Sequence, residues 1–94
     1  MQVKFDVKYE RSKQKVALKI DMKKIIQTEE LFVTNMYAAK LQLKNIACRR
    51  DKNKKSIRIL GNSGYRILIS MRDDIAYFQD IMNHDKYDRL TKDC

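Results

Sequence analysis

The chain has no proline and no tryptophan, and only two glycines, two cysteines and one histidine among 94 residues. Cys48 and Cys94 lie far apart and form no framework of the kind that staples small secreted domains, so both are expected as free thiols. One histidine and two distant cysteines cannot supply the clustered ligands of a structural zinc site, and no metal or other cofactor is expected. Gly61 and Gly64 lack the following Lys-Ser or Lys-Thr of a phosphate-cradling loop. The basic-glycine-aromatic signature of RNA-recognition sheets, the glycine loop of KH domains and a helix-turn-helix pattern are all missing. Uninterrupted apolar stretches such as Leu31-Phe32-Val33 and Met36 to Ala39 are far too short to span a bilayer. The opening Met-Gln-Val-Lys-Phe-Asp has neither the apolar segment nor the small-residue cleavage site of a signal peptide. These absences point to a cytoplasmic chain with no membrane contact.

What is present is charge on an ample apolar background. Hydrophobic residues make up 44% of the chain, too many for a disordered tail, and the length suits one small basic α+β domain covering residues 1–94. Such a domain has a thin core and little interior for a deep pocket, so an external working surface is expected.

Val3, Phe5, Val7 and Tyr9 alternate with Lys4, Asp6, Lys8 and Glu10, and Val16, Leu18, Ile20 and Met22 alternate again after a polar loop. This reads as an antiparallel hairpin. From Thr28 the period changes: Phe32, Met36, Ala39, Leu43 and Ile46 form one helical face behind a capping Thr28 and first-turn Glu29 and Glu30. A fifth strand around 41–49 is the rival reading, because Leu41 and Leu43 also alternate with polar neighbours. Residues 56–60 and 65–71 flank Gly61-Asn62-Ser63-Gly64 as a second hairpin. Ser70-Met71-Arg72-Asp73 fits a capping box, with Ile75, Phe78 and Met82 on one face of a second helix. Residues 85–94, mostly charged, read as a frayed tail. The predicted fold is therefore α+β: an antiparallel sheet of two β-hairpins with two helices on one face, in the order ββαββα.

The formal net charge is +9, with 21 Lys and Arg against 12 Asp and Glu. It is polarised: residues 1–72 carry the whole excess, and residues 73–94 are net acidic. Lys40, Lys44, Arg49, Arg50, Lys52, Lys54, Lys55 and Arg58 crowd one stretch against Asp51 alone, and Arg11, Lys13 and Lys15 crowd the first loop. Clustered cations that neutralise phosphates bind nucleic acid by releasing counterions, and lysine outnumbers arginine by 14 to 7. That balance suits backbone contact over base reading. These eleven residues are the expected RNA-contacting surface of a non-enzymatic module with little sequence preference. The alternative is a small phage-type inhibitor or adaptor that docks its basic face on a host protein, a toxin or a protein-RNA complex. The proline-free, lysine- and isoleucine-rich composition suits an AT-rich genome such as a bacteriophage or its host. An open sheet edge would also allow a homodimer.

No catalytic residue is expected. His84 stands at the end of an acidic segment, where its neighbours have the wrong sign for a nucleic-acid substrate. Cys48 reads as a buried residue, and Asp73-Asp74 as a cap. A small basic ribonuclease using Arg58, Tyr65 and Arg66 is conceivable, but nothing in their spacing selects them over a plain binding face.

Overall fold

Asp6 divides the first segment in two. The computed structural model describes residues 1–92, and in it Gln2–Phe5 form strand β1 while Val7–Val16 form helix α1. The period-two run from Val3 to Tyr9 straddles this junction, so an alternation that suggests one strand is split between two elements. Tyr9 and Val16, two helical turns apart, are the buried side of α1. The second run, Val16 to Met22, likewise crosses the turn between α1 and α2 (Met22–Thr34). Asp21 caps α2, its carboxylate accepting from the Lys23 amide at 2.9 Å. The predicted first hairpin is thus a strand and two helices.

Helix α2 starts and ends earlier than the apolar stripe suggests, and is followed by a short 3₁₀ turn, Ala39–Leu41. The rival strand exists only as the two-residue β2, Lys44–Asn45. The second hairpin is present as β3 (Lys54–Ile59) and β4 (Asn62–Arg72), with Gly61 at φ +73° in its turn. That left-handed position carries a cost for residues with a Cβ.

The largest correction concerns residues 75–83, which are strand β5 (Ile75–Asn83) and not a helix. Arg72 pairs with Ile75 across a two-residue loop in which Asp73 and Asp74 both have positive φ, 52° and 63°. This is the geometry that suits a strongly twisted hairpin, and aspartate tolerates it better than most residues. Further along, Leu68 pairs with Asp80 and Ile69 with Phe78, leaving Gln79 as a bulge. The extra residue breaks the period of two, which is why Ile75, Phe78 and Met82 resemble a helical face.

One five-stranded mixed sheet results, in the order β1-β5-β4-β3-β2, with β1 parallel to β5 and the rest antiparallel. Helices α1 and α2 enclose the main core on one face, where Tyr9, Ile25, Phe32, Ile57, Ile67 and Phe78 are buried. Tyr9 and Phe32 each meet Phe78 edge-to-face. Thr28 fastens α2 to the β3–β4 turn by accepting from the Leu60 amide at 2.9 Å. The opposite face is partly covered by helix α3 (His84–Lys92), which forms where a frayed tail is expected. Tyr87 anchors α3 in a smaller cluster with Ile46, Cys48, Leu68 and Met82. Against expectation Cys48 is not a free thiol; Cys94, the other expected free thiol, lies outside the described residues. The class is α+β as expected, but the ββαββα order and the all-antiparallel layout are replaced by this mixed sheet and three helices. Among the described residues no helix is long and apolar enough to cross a membrane.

Candidate active site on the outer sheet face

Alternation places Lys54, Ser56 and Arg58 of β3 on the sheet face away from α1 and α2, beside Arg66, Leu68 and Ser70 of β4. Arg58 and Arg66 are direct cross-strand partners. Two cations side by side repel, and nine-tenths of the Arg66 surface is buried. Burial first, then Arg58, lowers the Arg66 pKa, against the opposing effects of Tyr87 and Asp88. Such a crowded pair is relieved by an incoming anion.

Helix α3 completes this end of the face. The Arg66 guanidinium lies 5.8 Å from the centre of the Tyr87 ring, a cation-π contact, and the Tyr87 hydroxyl is 3.0 Å from Ser56 Oγ. His84 Nδ1 is 3.1 Å from Asp88 Oδ2, one turn along α3, and the two rings of His84 and Tyr87 are 6.5 Å apart. When Nδ1 carries a proton toward Asp88, Nε2 is left as an acceptor on a half-exposed ring, the arrangement of an oriented general base.

At the other end of the face a cleft of about 470 Å³ opens between the sheet and the end of α3. Lys8, Arg50, Lys54 and Arg89 line it, against Asp6 and Asp80. At Asp51, next to Arg50 in the chain, burial would raise the pKa, but this is outweighed by the Ser70 hydroxyl, the Asn53 amide and the charges of Lys54 and Arg72, so Asp51 sits below the usual carboxylate range. Ser70 Oγ faces Asp51 without full hydrogen-bond geometry, whereas the Asn53 amide donates at 2.9 Å; the amide is the firmer contact.

The expected RNA surface is only partly gathered. Arg50 and Lys54 meet in the cleft, Arg58 is on the same face, and Lys44 on edge strand β2 pairs with Ser56. Arg49 and Lys52 are exposed in the adjoining loop. Lys55 points with the opposite parity and bonds the Asn45 side chain, and Lys40 lines a hollow with Lys24 and Gly61. Arg11 and Lys15 are exposed on α1, whereas Lys13 is held by Glu29 at 2.9 Å and is largely buried. Of the three residues weighed for a ribonuclease, Arg58 and Arg66 share the site, while Tyr65 packs toward the main core. Sequence reasoning missed His84 and Tyr87 as partners of these arginines. Their i, i+3 spacing is visible in the chain, but His84 reads as the end of an acidic segment and Tyr87 as part of a tail. No group of three His, Cys, Asp or Glu that could hold a metal ion occurs among the described residues.

No family model matches the chain, and no curated protein matches it. Solved structures do. YafQ from E. coli strain BL21(DE3) superposes with a TM-score of 0.73 at 13% identity, covering 92% of this chain and 96% of YafQ. In fold, the chain is similar to the YafQ and RelE toxins. The E. coli DinJ-YafQ toxin-antitoxin complex gives a TM-score of 0.73 at 16% identity, covering 90% of this chain and 93% of that one. The RelB-RelE antitoxin-toxin complex from Methanococcus jannaschii gives 0.65 at 17%, with coverages of 89% and 93%.

This likeness overturns the expectation of a non-enzymatic module that contacts RNA only through phosphates. The neighbours are toxins, solved together with their antitoxins. It also overturns the alternative of an inhibitor, because the neighbours are the toxins of their pairs and not the antitoxins. The expectation of no enzymatic activity falls with both. Assembly of these neighbours with antitoxins supports a protein partner and gives no support to the homodimer.

Proposed function

We propose that this chain is a small RNA-cleaving toxin, cytoplasmic and held inactive by a protein antitoxin. One observation carries the reading: the crowded Arg58–Arg66 pair adjoins Tyr87 and the His84–Asp88 pair on one face of a toxin fold. Arginines that repel one another are eased by the dianionic charge that develops on the phosphoryl oxygens in the transition state. In this scheme His84 Nε2 takes the proton from a ribose 2′-hydroxyl, and the freed oxygen attacks the adjacent phosphorus. The bond to the 5′-oxygen breaks, and the Tyr87 hydroxyl gives that oxygen a proton, with Ser56 beside it to hold the hydrogen-bond chain. The products are a 2′,3′-cyclic phosphate and a 5′-hydroxyl end. Lys54, Arg50 and Lys44 hold flanking phosphates, and Asp88 orients the imidazole.

Induction in a bacterial host tests the reading. The wild-type chain is expected to stop growth and fragment transcripts, and His84→Gln and Arg66→Ala to do neither while accumulating as folded protein. Growth arrest with intact transcripts, or equal arrest by the variants, would contradict it.

A further inference from the structure

The cleft at the far end of the face contains two acceptors that the cleavage scheme does not use. Asp80 is 2% exposed, and its Oδ1 is already occupied by Ser12 Oγ at 2.7 Å and the Ile81 amide at 2.8 Å. Its Oδ2 is buried without a hydrogen-bond partner. The Lys8 ammonium stands 3.3 Å away, an ion pair by distance but not a hydrogen bond by direction, on a side chain that is 68% exposed. Next to it, Gln79 Oε1 is also buried without a partner. Buried acceptors of this kind cost free energy unless something satisfies them.

The bulge explains how consecutive residues serve one cleft. With Leu68 opposite Asp80 and Ile69 opposite Phe78, Gln79 is released from the alternation, and both residues line the cavity. Bulges are a recurrent means of re-aiming side chains at functional sites. The floor beside them is Leu68, with Leu90 from α3, and the rim is the cationic set Lys8, Arg50, Lys54 and Arg89. Two leucines, a set of cations and two adjacent oxygen acceptors in one cleft together suit a nucleotide.

We propose that this cleft is a base-reading subsite for guanine, an inference that rests on the chain acting on RNA. Among the four bases only guanine presents two adjacent donors, N1–H and the 2-amino group, along one edge. Adenine and cytosine present a single amino group beside an acceptor, and uracil one N–H between two carbonyls. Asp80 Oδ2 and Gln79 Oε1 accept the two guanine donors, Lys8 swings from Asp80 to donate to O6, and Arg50, Lys54 and Arg89 take the phosphate. A polar site of this type discriminates because a base without the donors leaves buried oxygens unpaired.

Titration of guanosine 5′-monophosphate into the full chain, followed by amide chemical shifts, tests the subsite without requiring cleavage. Shifts are expected at Leu68, Gln79 and Asp80, with uridine 5′-monophosphate binding at least about tenfold more weakly. Asp80→Asn should bring guanosine monophosphate to the uridine level. Gln79→Met, which leaves the Asp80 bonds to Ser12 and Ile81 intact, should reduce the preference even if the Asp80 variant does not fold. Equal binding of all four mononucleotides, or none at millimolar concentration, would overturn the proposal. A guanine preference in a chain that never cleaves RNA would uphold the subsite and sink the cleavage reading. Cleavage without a guanine preference would do the reverse.

Discussion

Glu29 of α2 ties that helix to α1 by accepting twice from it, from the Tyr9 hydroxyl at 2.6 Å and from Lys13 Nζ at 3.1 Å. Tyr9 is fully buried, and burial together with the Glu29 carboxylate pushes its pKa well above the ordinary value near 10. Because the folded value is raised, the stability this proton provides is complete below about pH 10 and is lost as pH climbs beyond it. Tyr9→Phe removes a hydrogen bond to a charged group and is expected to cost about 1.5–3 kcal/mol at neutral pH. It should also flatten the alkaline fall in melting temperature above about pH 10. Thermal melts of both proteins across that range check this, and an unchanged alkaline slope would contradict it. Lys13 shows what a count of cations omits. As a sequence residue it is one more positive charge for RNA, but in the fold that charge is consumed by Glu29 and packed over the Phe5 ring.

At the scale of elements, legibility follows whether a pattern begins and ends with its element. The β3–β4 hairpin is readable because its alternation and its glycine lie within one unit. The first hairpin is misread because Val3 to Tyr9 continues a period of two across Asp6 from strand to helix. Strand β5 is misread because the Gln79 bulge interrupts its alternation and because Asp73-Asp74, which resembles a helix cap, is instead a tight turn with positive φ at both positions. Replacing Asp73-Asp74 with Asn-Gly suits that turn better, and is expected to stabilise the protein by up to about 1 kcal/mol without altering strand register. A higher melting temperature with unchanged amide shifts along β4 and β5 is the expected outcome; no gain, or displaced register, would show that the loop geometry is not what limits the hairpin.

For the whole molecule, the polarity of charge in the chain does become a polarity of the fold, though not the one expected. The cations around residue 50 do not form a single patch: Arg50, Lys54 and Arg58 reach the outer face, and Lys40 and Lys55 do not. The acidic carboxyl-terminal segment is the helix that crosses that face, bringing His84, Tyr87 and Asp88 to the arginines. A search for excess charge therefore reaches this face but not the side-chain cluster on it, which depends on long-range pairing between β3, β4 and α3. The central claim is that this cluster cleaves RNA. Its most direct test is mapping of new RNA ends in a translating extract after addition of the purified chain or of Tyr87→Phe. The account predicts new 5′-hydroxyl ends with the wild-type protein and at least about a hundredfold fewer with the variant. Folded wild-type protein that leaves the RNA intact, or a Tyr87→Phe chain that cuts equally well, would contradict it.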